Sequence, residues 1–190
     1  MDKKTDFKVG VFFAAATIIL IILFFANDNF FNWAFERHRN TLSWYIRPLF
    51  ILPIIFFAFK KSYAGISISI FALFTSMFWF PVPETINSQV SEFLAFEMDY
   101  LKGVWTGPKI SMSLAVPIFF IMLILSAWNR NWKWLIAVII GSAVLKLIWS
   151  LLFGGETGMA ILIPATIGLI ACVGGFYLFY RRFGKNRKGL

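Results

Sequence analysis

The chain has 190 residues, of which 59% are hydrophobic and only 14% are charged, and its formal net charge is +9. A typical soluble domain has about 25% charged residues, so this composition argues against a soluble globule and predicts a membrane protein. The cations do not interleave along one face, which argues against nucleic acid as a partner; orientation in the lipid bilayer and contact with anionic lipid explain the charge.

Six apolar runs are each close to the roughly 20 residues that a helix needs to cross a bilayer. The sequence therefore predicts an all-α integral membrane protein with six transmembrane helices in a single helical domain, residues 1–190. The first run could also be a secretory signal, but it is long for one and no small residue stands three positions before Asn27, so we expect it to be retained. The predicted spans are about 9–26, 42–59, 62–82, 110–128, 132–153 and 158–180.

The charged residues sort by side once these runs are taken as spans. With the amino terminus inside, the termini and the second and fourth loops carry twelve of the 18 lysines and arginines. The opposite side carries five of them, together with seven of the nine acidic residues. Because excess Lys and Arg mark the cytoplasmic face, we expect a cell-membrane protein with both termini in the cytoplasm.

The first outer loop, residues 27–41, is rich in aromatic and charged residues. Helical periodicity places its phenylalanines and His38 on one side, which predicts a helix lying in the membrane interface. His38 is the only histidine, and it is either a packed residue or a catalytic or pH-sensing one. Three arginines either contact lipid phosphates or form a clamp for an anion or carboxylate. They are Arg37, Arg39 and Arg47.

The second outer loop, residues 83–109, contains a carboxylate in an unexpected place. Apolar positions between residues 86 and 101 fall on one helical face, which predicts a second interfacial helix. Glu97 projects from the middle of that apolar face, where an unpaired carboxylate is costly to desolvate. Either Glu97 pairs with a cation beneath the helix, or it faces a watery cavity, or the segment is not a single regular helix.

Lys146 lies inside the fifth apolar run, seven residues from the end at Phe153, which corresponds to about 10 Å of helix rise. Ser142 and Trp149 fall on the same side of the predicted helix. An ionisable residue inside a span is a candidate functional residue. Lys146 can be a structural tie to a carboxylate or to helix-end carbonyls, a ligand or ion-coupling contact, or a side chain that snorkels to the interface.

Familiar catalytic and metal-binding motifs are absent from the sequence. It has no Gly-x-Ser-x-Gly, no His-Glu-x-x-His and no glycine-rich phosphate loop. One histidine cannot build a multi-histidine metal centre, and the single cysteine, Cys172, permits no intrachain disulfide. We therefore predict no metal and no cofactor. A lipid-active enzyme that uses Glu36, His38 and an outer-loop acid stays open.

The outline resembles the substrate-binding S component of energy-coupling-factor vitamin transporters. The local similarity is Leu-Pro-Ile-Ile at 52–55, followed by Lys-Lys-Ser-Tyr-Ala-Gly at 60–65, where such proteins have a proline-containing helix, a basic turn and a small-residue helix start. The resemblance implies six helices, both termini inside and binding elements on the outer side. The glycine-rich third span and the spaced alanine motif of that family are missing here, so no binding residue is carried over.

The expected function is binding or transport of a small anionic or zwitterionic solute near the outer face. One alternative is a non-catalytic accessory or assembly subunit, whose apolar faces bind other membrane subunits. The other is the lipid-active enzyme with the outer-loop Glu/His/Arg cluster. The predicted ligand-binding residues are Lys146, Glu97, Arg37, Arg39, Arg47, His38, Trp149 and Ser142.

Overall fold

The computed structural model describes residues 1–154 and 162–183, which form nine α-helices and two short 3-10 turns, Arg47–Phe50 and Ser76–Phe78. The described residues contain no strand, so the all-helical prediction is confirmed for them. The helices are α1 (Lys3–Ala26), α2 (Asp28–His38), α3 (Leu42–Ile46), α4 (Ile51–Phe59), α5 (Tyr63–Thr75), α6 (Ser88–Lys102), α7 (Gly107–Trp128), α8 (Trp132–Gly154) and α9 (Leu162–Phe183).

Within residues 1–154 and 162–183, three helical segments are long and apolar enough to cross a membrane, which supports a membrane protein. They are Lys3–Ala26, Leu42–Phe59 and Gly107–Trp128, with 24, 18 and 22 residues. The second joins α3, the first 3-10 turn and α4 into one helical run. In the segment predicted as the third span, 62–82, the helical residues end at Phe78. Pro81 and Pro83 explain the early end, because proline lacks an N–H and restricts the residue before it.

The first helix packs along α5 through a close backbone contact. A Cβ at Gly10 would lie 2.8 Å from Tyr63 Cβ and 3.1 Å from the Ala64 nitrogen, so only glycine fits there without a shift. One turn earlier, the Asp6 carboxylate accepts hydrogen bonds from the Ser62 hydroxyl at 2.6 Å and from the Tyr63 N–H at 2.7 Å. Asp6 thereby ties the start of α5 to the start of α1.

Two tight turns join α4 to α5 and α7 to α8, and both contain a cation with left-handed backbone. Lys61 has φ 57° and Arg130 has φ 54°. In each turn an N–H bonds back to a carbonyl five residues earlier, from Ser62 to Phe57 and from Asn131 to Ser126. This is the Schellman arrangement, in which glycine is the usual left-handed residue. The turns place α4 beside α5 and α7 beside α8 as helical hairpins.

The helices meet in an inner apolar cluster formed mainly by α4, α7 and α8. Ile54, Leu123 and Leu135 are almost fully buried in it. Helix α9 packs against the first 3-10 turn and α4, where a Cβ at Gly168 would lie 2.6 Å from Pro48 Cβ. The thiol of Cys172 donates to the Pro48 carbonyl at 3.2 Å. Helix α9 is therefore held close to the turn that begins with Arg47.

A second apolar cluster joins the helices of the two predicted outer loops. Phe31 and Phe35 of α2 pack with Trp44 of α3 and with Phe93 and Leu94 of α6, and all five are buried. Lys102 of α6 forms an ion pair with Asp28 of α2. Helix α6 is a single regular helix, so the third explanation offered for Glu97 is wrong. Glu97 lies one turn beyond the buried residues Phe93 and Leu94, on the same side of α6.

Candidate functional site: a charge cluster beneath α6

Beneath α6, the side chains of three ionisable residues from three elements lie within 4.0 Å of one another in two pairs, His38–Arg47 and His38–Glu97, and the charge of a fourth residue acts on them without a direct contact. His38 is the last residue of α2, Arg47 begins the first 3-10 turn, Glu97 lies on α6 and Lys146 on α8. All four belong to the residues that the sequence singled out as candidates for ligand binding. Their assembly depends on the outer apolar cluster, which holds α6 over α2 and α3.

The orientation of the His38 ring is fixed by Ser43. His38 Nδ1 lies 3.0 Å from Ser43 Oγ, and the same hydroxyl donates to the Asn40 carbonyl at 2.8 Å. Because the hydroxyl proton is used toward Asn40, Ser43 Oγ accepts from His38, and we assign the ring proton to Nδ1. His38 Nε2 then carries the lone pair and faces the charge cluster.

Two charged side chains surround that nitrogen. Arg47 Nη1 lies 3.4 Å from His38 Nε2, and Glu97 Oε2 lies 4.0 Å from it. An arginine N–H can donate to the imidazole lone pair, whereas a carboxylate oxygen cannot. The geometry therefore favours a neutral His38 that accepts from Arg47, with the Glu97 carboxylate beside both.

Burial is the main cause of the pKa change at His38. It holds the pKa of His38 well below the usual 6.5, and the positive charges of Arg47 and Lys146 lower it further. His38 is only 5% exposed, so its charged form would lose most of its hydration. Both the hydrogen bonds and the pKa direction indicate a neutral imidazole at neutral pH.

The pKa of Glu97 is shifted in the opposite direction. Burial raises its pKa above 4.5, while the positive charges of Lys146 and Arg47 act to lower it. The Glu97 side chain is still 24% exposed, so its desolvation is incomplete. Among the described residues, no lysine or arginine lies within 4.0 Å of the Glu97 carboxylate, and the one basic side chain at that distance is the neutral His38 ring. The interaction of Glu97 with Lys146 is therefore electrostatic, without a direct ion pair. The predicted pairing of Glu97 with a cation thus takes the form of electrostatic attraction and not of an ion pair.

The chain around His38 forms a turn held by side chains. The Trp44 indole N–H donates to the His38 carbonyl at 2.9 Å. The Asn40 side chain accepts from the Leu42 N–H at 3.1 Å and donates to the Pro81 carbonyl at 3.1 Å. These hydrogen bonds fix the change of direction between α2 and α3, which allows the side chains of His38 and Arg47 to contact each other.

The other predicted ligand-binding residues do not take part in the described contacts of this cluster. The Arg37 guanidinium lies 4.2 Å from the centroid of the Trp33 ring, and Arg39 is exposed. The Ser142 hydroxyl donates to the Ile139 carbonyl of its own helix at 3.0 Å. The backbone of Trp149 belongs to α8, but its side chain lies outside the part of the structure described. A three-arginine clamp is not formed, because only Arg47 of the three approaches the cluster.

Ser43 and Trp44 were not predicted as site residues, although they position His38. Both are buried, and their hydrogen bonds to His38 and to the Asn40 carbonyl span three to six residues across a turn. Helical periodicity could not find these contacts, because residues 39–41 interrupt the helix. The available signal was the run Asn-Thr-Leu-Ser after a helix end, where short polar side chains commonly bond to backbone groups.

The cluster has the chemistry of an anion-binding site. With His38 neutral and Glu97 ionised, Arg47 and Lys146 leave a net charge of +1. Arginine can offer two parallel hydrogen bonds to a carboxylate or phosphate, and lysine adds a point charge. Within the described residues, no group of three or more His, Cys, Asp and Glu side chains has the geometry to hold a metal ion. Comparison with known proteins adds no assignment: no family model, no curated protein and no solved structure matches this chain.

Proposed function

We propose that this chain is a six-span membrane protein that binds or transports a small anionic or zwitterionic solute through the cluster of His38, Arg47, Glu97 and Lys146. The single observation that carries the proposal is the convergence of these four residues from four elements. Arg47 lies in the predicted second span and Lys146 in the predicted fifth, where a cation is costly unless an anionic group compensates for it, and Glu97 compensates for only one of the two. A solute with a negative group supplies the second compensating charge.

The proposed membrane arrangement has both termini in the cytoplasm and α2 and α6 lying in the outer interface. Support comes from the cation distribution and from the exposed apolar side chains of α1, among them Ile18, Ile19 and Ile22, each more than half exposed. Helices α2 and α6 have apolar faces that pack against each other and charged residues on their outer faces. This pattern suits helices that lie along a membrane surface.

Cysteine labelling tests that arrangement. In a Cys172→Ser background, Glu36→Cys should react with a membrane-impermeant maleimide added to intact cells, and Lys60→Cys should react only after permeabilisation. Glu36 and Lys60 are both exposed, so accessibility in the folded protein does not limit either reaction. Labelling of Lys60→Cys in intact cells would contradict the proposed orientation.

Thermal unfolding of the purified protein in detergent tests solute binding. The protein is screened at fixed ionic strength against acetate, glutamate, glycine betaine, inorganic phosphate and dimethyl phosphate. At least one anion or zwitterion should raise the apparent unfolding temperature of the wild type and not that of Lys146→Met. Lys133→Met is the matched control, because Lys133 is exposed on the same helix, as Lys146 is, but lies at the other end of α8. Equal responses of wild type and Lys146→Met to every compound would refute a solute site at Lys146.

A second candidate function, a lipid-active enzyme, is favoured by one contact. His38 Nε2 carries a lone pair 4.0 Å from Glu97 Oε2, and an imidazole beside a carboxylate can act in proton transfer. Glu36, the acid expected to assist His38, is exposed and has no described bond to it. Release of a headgroup or fatty acid from phospholipid nanodiscs, abolished in His38→Ala and retained in Glu36→Gln, would favour the enzyme over the solute-binding protein.

A further inference from the structure

Resting on the proposed anion site, we infer that Glu97 sets the charge of the ligand, so that the cluster selects a singly charged oxyanion over a doubly charged one. The class of ligand is then a carboxylate or a phosphodiester. A phosphomonoester, which carries two charges at neutral pH, is disfavoured. The ligand group can belong to a free solute or to a lipid headgroup, because the two sources present the same chemistry.

Three side chains from other elements determine the charge around Glu97. The His38 ring of α2 lies 4.0 Å from the Glu97 carboxylate and 3.4 Å from the Arg47 guanidinium of the first 3-10 turn, and the charge of Lys146 on α8 acts on Glu97 without a direct contact. His38 is held as a neutral acceptor by Ser43 and Arg47, so it adds no charge. Two cations and one carboxylate remain, and one further negative charge makes the cluster neutral.

The net charge of the cluster determines whether it prefers a singly or a doubly charged ligand. A dianion would leave one uncompensated negative charge in a place where hydration is reduced, which is unfavourable. A unit charge about 5 Å away, at an effective dielectric constant of about 20, changes the affinity for an ion by roughly a hundredfold. Because the Glu97 side chain is still 24% exposed, we reduce the expected effect to about tenfold.

Glu97 lies on a helix whose position is fixed by contacts on both sides of it. Phe93 and Leu94 are buried in the outer apolar cluster one turn before it, and Lys102 pairs with Asp28 after it. Glu97 is therefore held beside the two cations by packing rather than by a direct ion pair of its own. A neutral side chain of the same shape at this position changes the charge of the site with little effect on its packing.

The test uses two pairs of probes that differ by one charge on a single phosphate group. Dimethyl phosphate and methyl phosphate form the soluble pair, measured at pH 8 and equal ionic strength. Dihexanoyl phosphatidylglycerol and dihexanoyl phosphatidic acid form the lipid pair. Apparent dissociation constants come from titrations of the unfolding temperature of the full-length protein in detergent.

In the wild type, the singly charged member of at least one pair should bind more tightly. Glu97→Gln should shift the ratio of the two dissociation constants toward the doubly charged member by about tenfold. Glu97→Asp, which keeps the charge, and Glu92→Gln, which removes a charge from the exposed face of the same helix, should retain the wild-type preference. A preference confined to the soluble pair or to the lipid pair supports the inference and identifies the source of the ligand.

Two results would overturn the inference, and they differ in what they leave standing. If the wild type binds the probes but Glu97→Gln changes both dissociation constants of a pair by the same factor, Glu97 does not select for charge, and the proposed anion site remains. If neither pair binds the wild type more tightly than Lys146→Met, the anion site itself is refuted together with the inference.

Discussion

The Ser43 hydroxyl accepts from His38 Nδ1 at 3.0 Å and thereby turns the other ring nitrogen toward Arg47. Ser43 is fully buried and its own proton goes to the Asn40 carbonyl, so this small side chain serves two partners. The protonation pattern of the charge cluster thus depends on a residue outside it.

Replacing Ser43 by alanine should destabilise the protein by about 1–3 kcal/mol, because the buried His38 N–H loses its acceptor. Denaturant unfolding in detergent measures the change. The control is Ser111→Ala, which removes an exposed hydroxyl bonded within α7 and should stay within about 0.5 kcal/mol of the wild type. Equal effects of the two substitutions would argue against a positioning role for Ser43.

His38 should make the stability of the protein sensitive to acid. Its folded-state pKa lies well below 6.5, so between that value and 6.5 the unfolded chain binds more protons than the folded one. Its contribution is therefore complete above pH 6.5 and is lost as the pH falls through this window. The apparent unfolding temperature should drop between pH 7.5 and pH 5.5, and it should drop less in His38→Gln.

Glu97 has the opposite effect on the pH dependence of stability, and comparison of the His38→Gln and Glu97→Gln variants separates the two effects. Its folded-state pKa is raised above 4.5, so the folded chain binds more protons there and gains relative stability as the pH falls. Glu97→Gln should therefore show a steeper loss of stability on acidification than the wild type. If His38→Gln and Glu97→Gln both follow the wild-type pH profile, the pKa values of His38 and Glu97 do not differ between the folded and unfolded states.

Two glycines of α9 should respond in opposite directions to alanine. A Cβ at Gly168 would lie 2.6 Å from Pro48 Cβ, whereas nothing lies within 4 Å of a Cβ at Gly174. Gly168→Ala should cost about 1–3 kcal/mol through overpacking. Gly174→Ala should be neutral or stabilise by up to about 1 kcal/mol, because alanine is the better helix former. Unfolding curves of the two variants provide the comparison, and a Gly168→Ala protein as stable as the wild type would place α9 farther from Pro48.

Lys61 is held in a left-handed conformation in the turn between α4 and α5. Lys61→Gly should stabilise the protein relative to Lys61→Ala by about 1 kcal/mol, since glycine adopts positive φ without the Cβ penalty. The alanine variant controls for the loss of the charge and the long side chain. Identical unfolding temperatures for the two variants would contradict the left-handed backbone at this position.

Much of the fold follows from local features of the sequence. The apolar runs predict helices because a chain in lipid must satisfy its backbone groups internally. Their ends shift by several residues where local chemistry intervenes, as at Pro81 and Pro83. The amphipathic patterns of 27–41 and 86–101 likewise predict α2 and α6, since one-sided apolar faces have to be buried against something.

The sequence by itself also determined which charged residues are unusual, because the cost of desolvating a charge depends on its apolar neighbours along the chain. Glu97 and Lys146 stand out for that reason, and His38 does so as the only histidine. Only the tertiary structure decided that His38 and Glu97 contact each other within the reach of the Lys146 charge, and that Arg47 joins them while Arg37, Arg39 and Ser142 do not. Which side chains share a space depends on how α2, α3, α6 and α8 pack and on the turn held by Ser43, and neither has a periodic signal in the sequence.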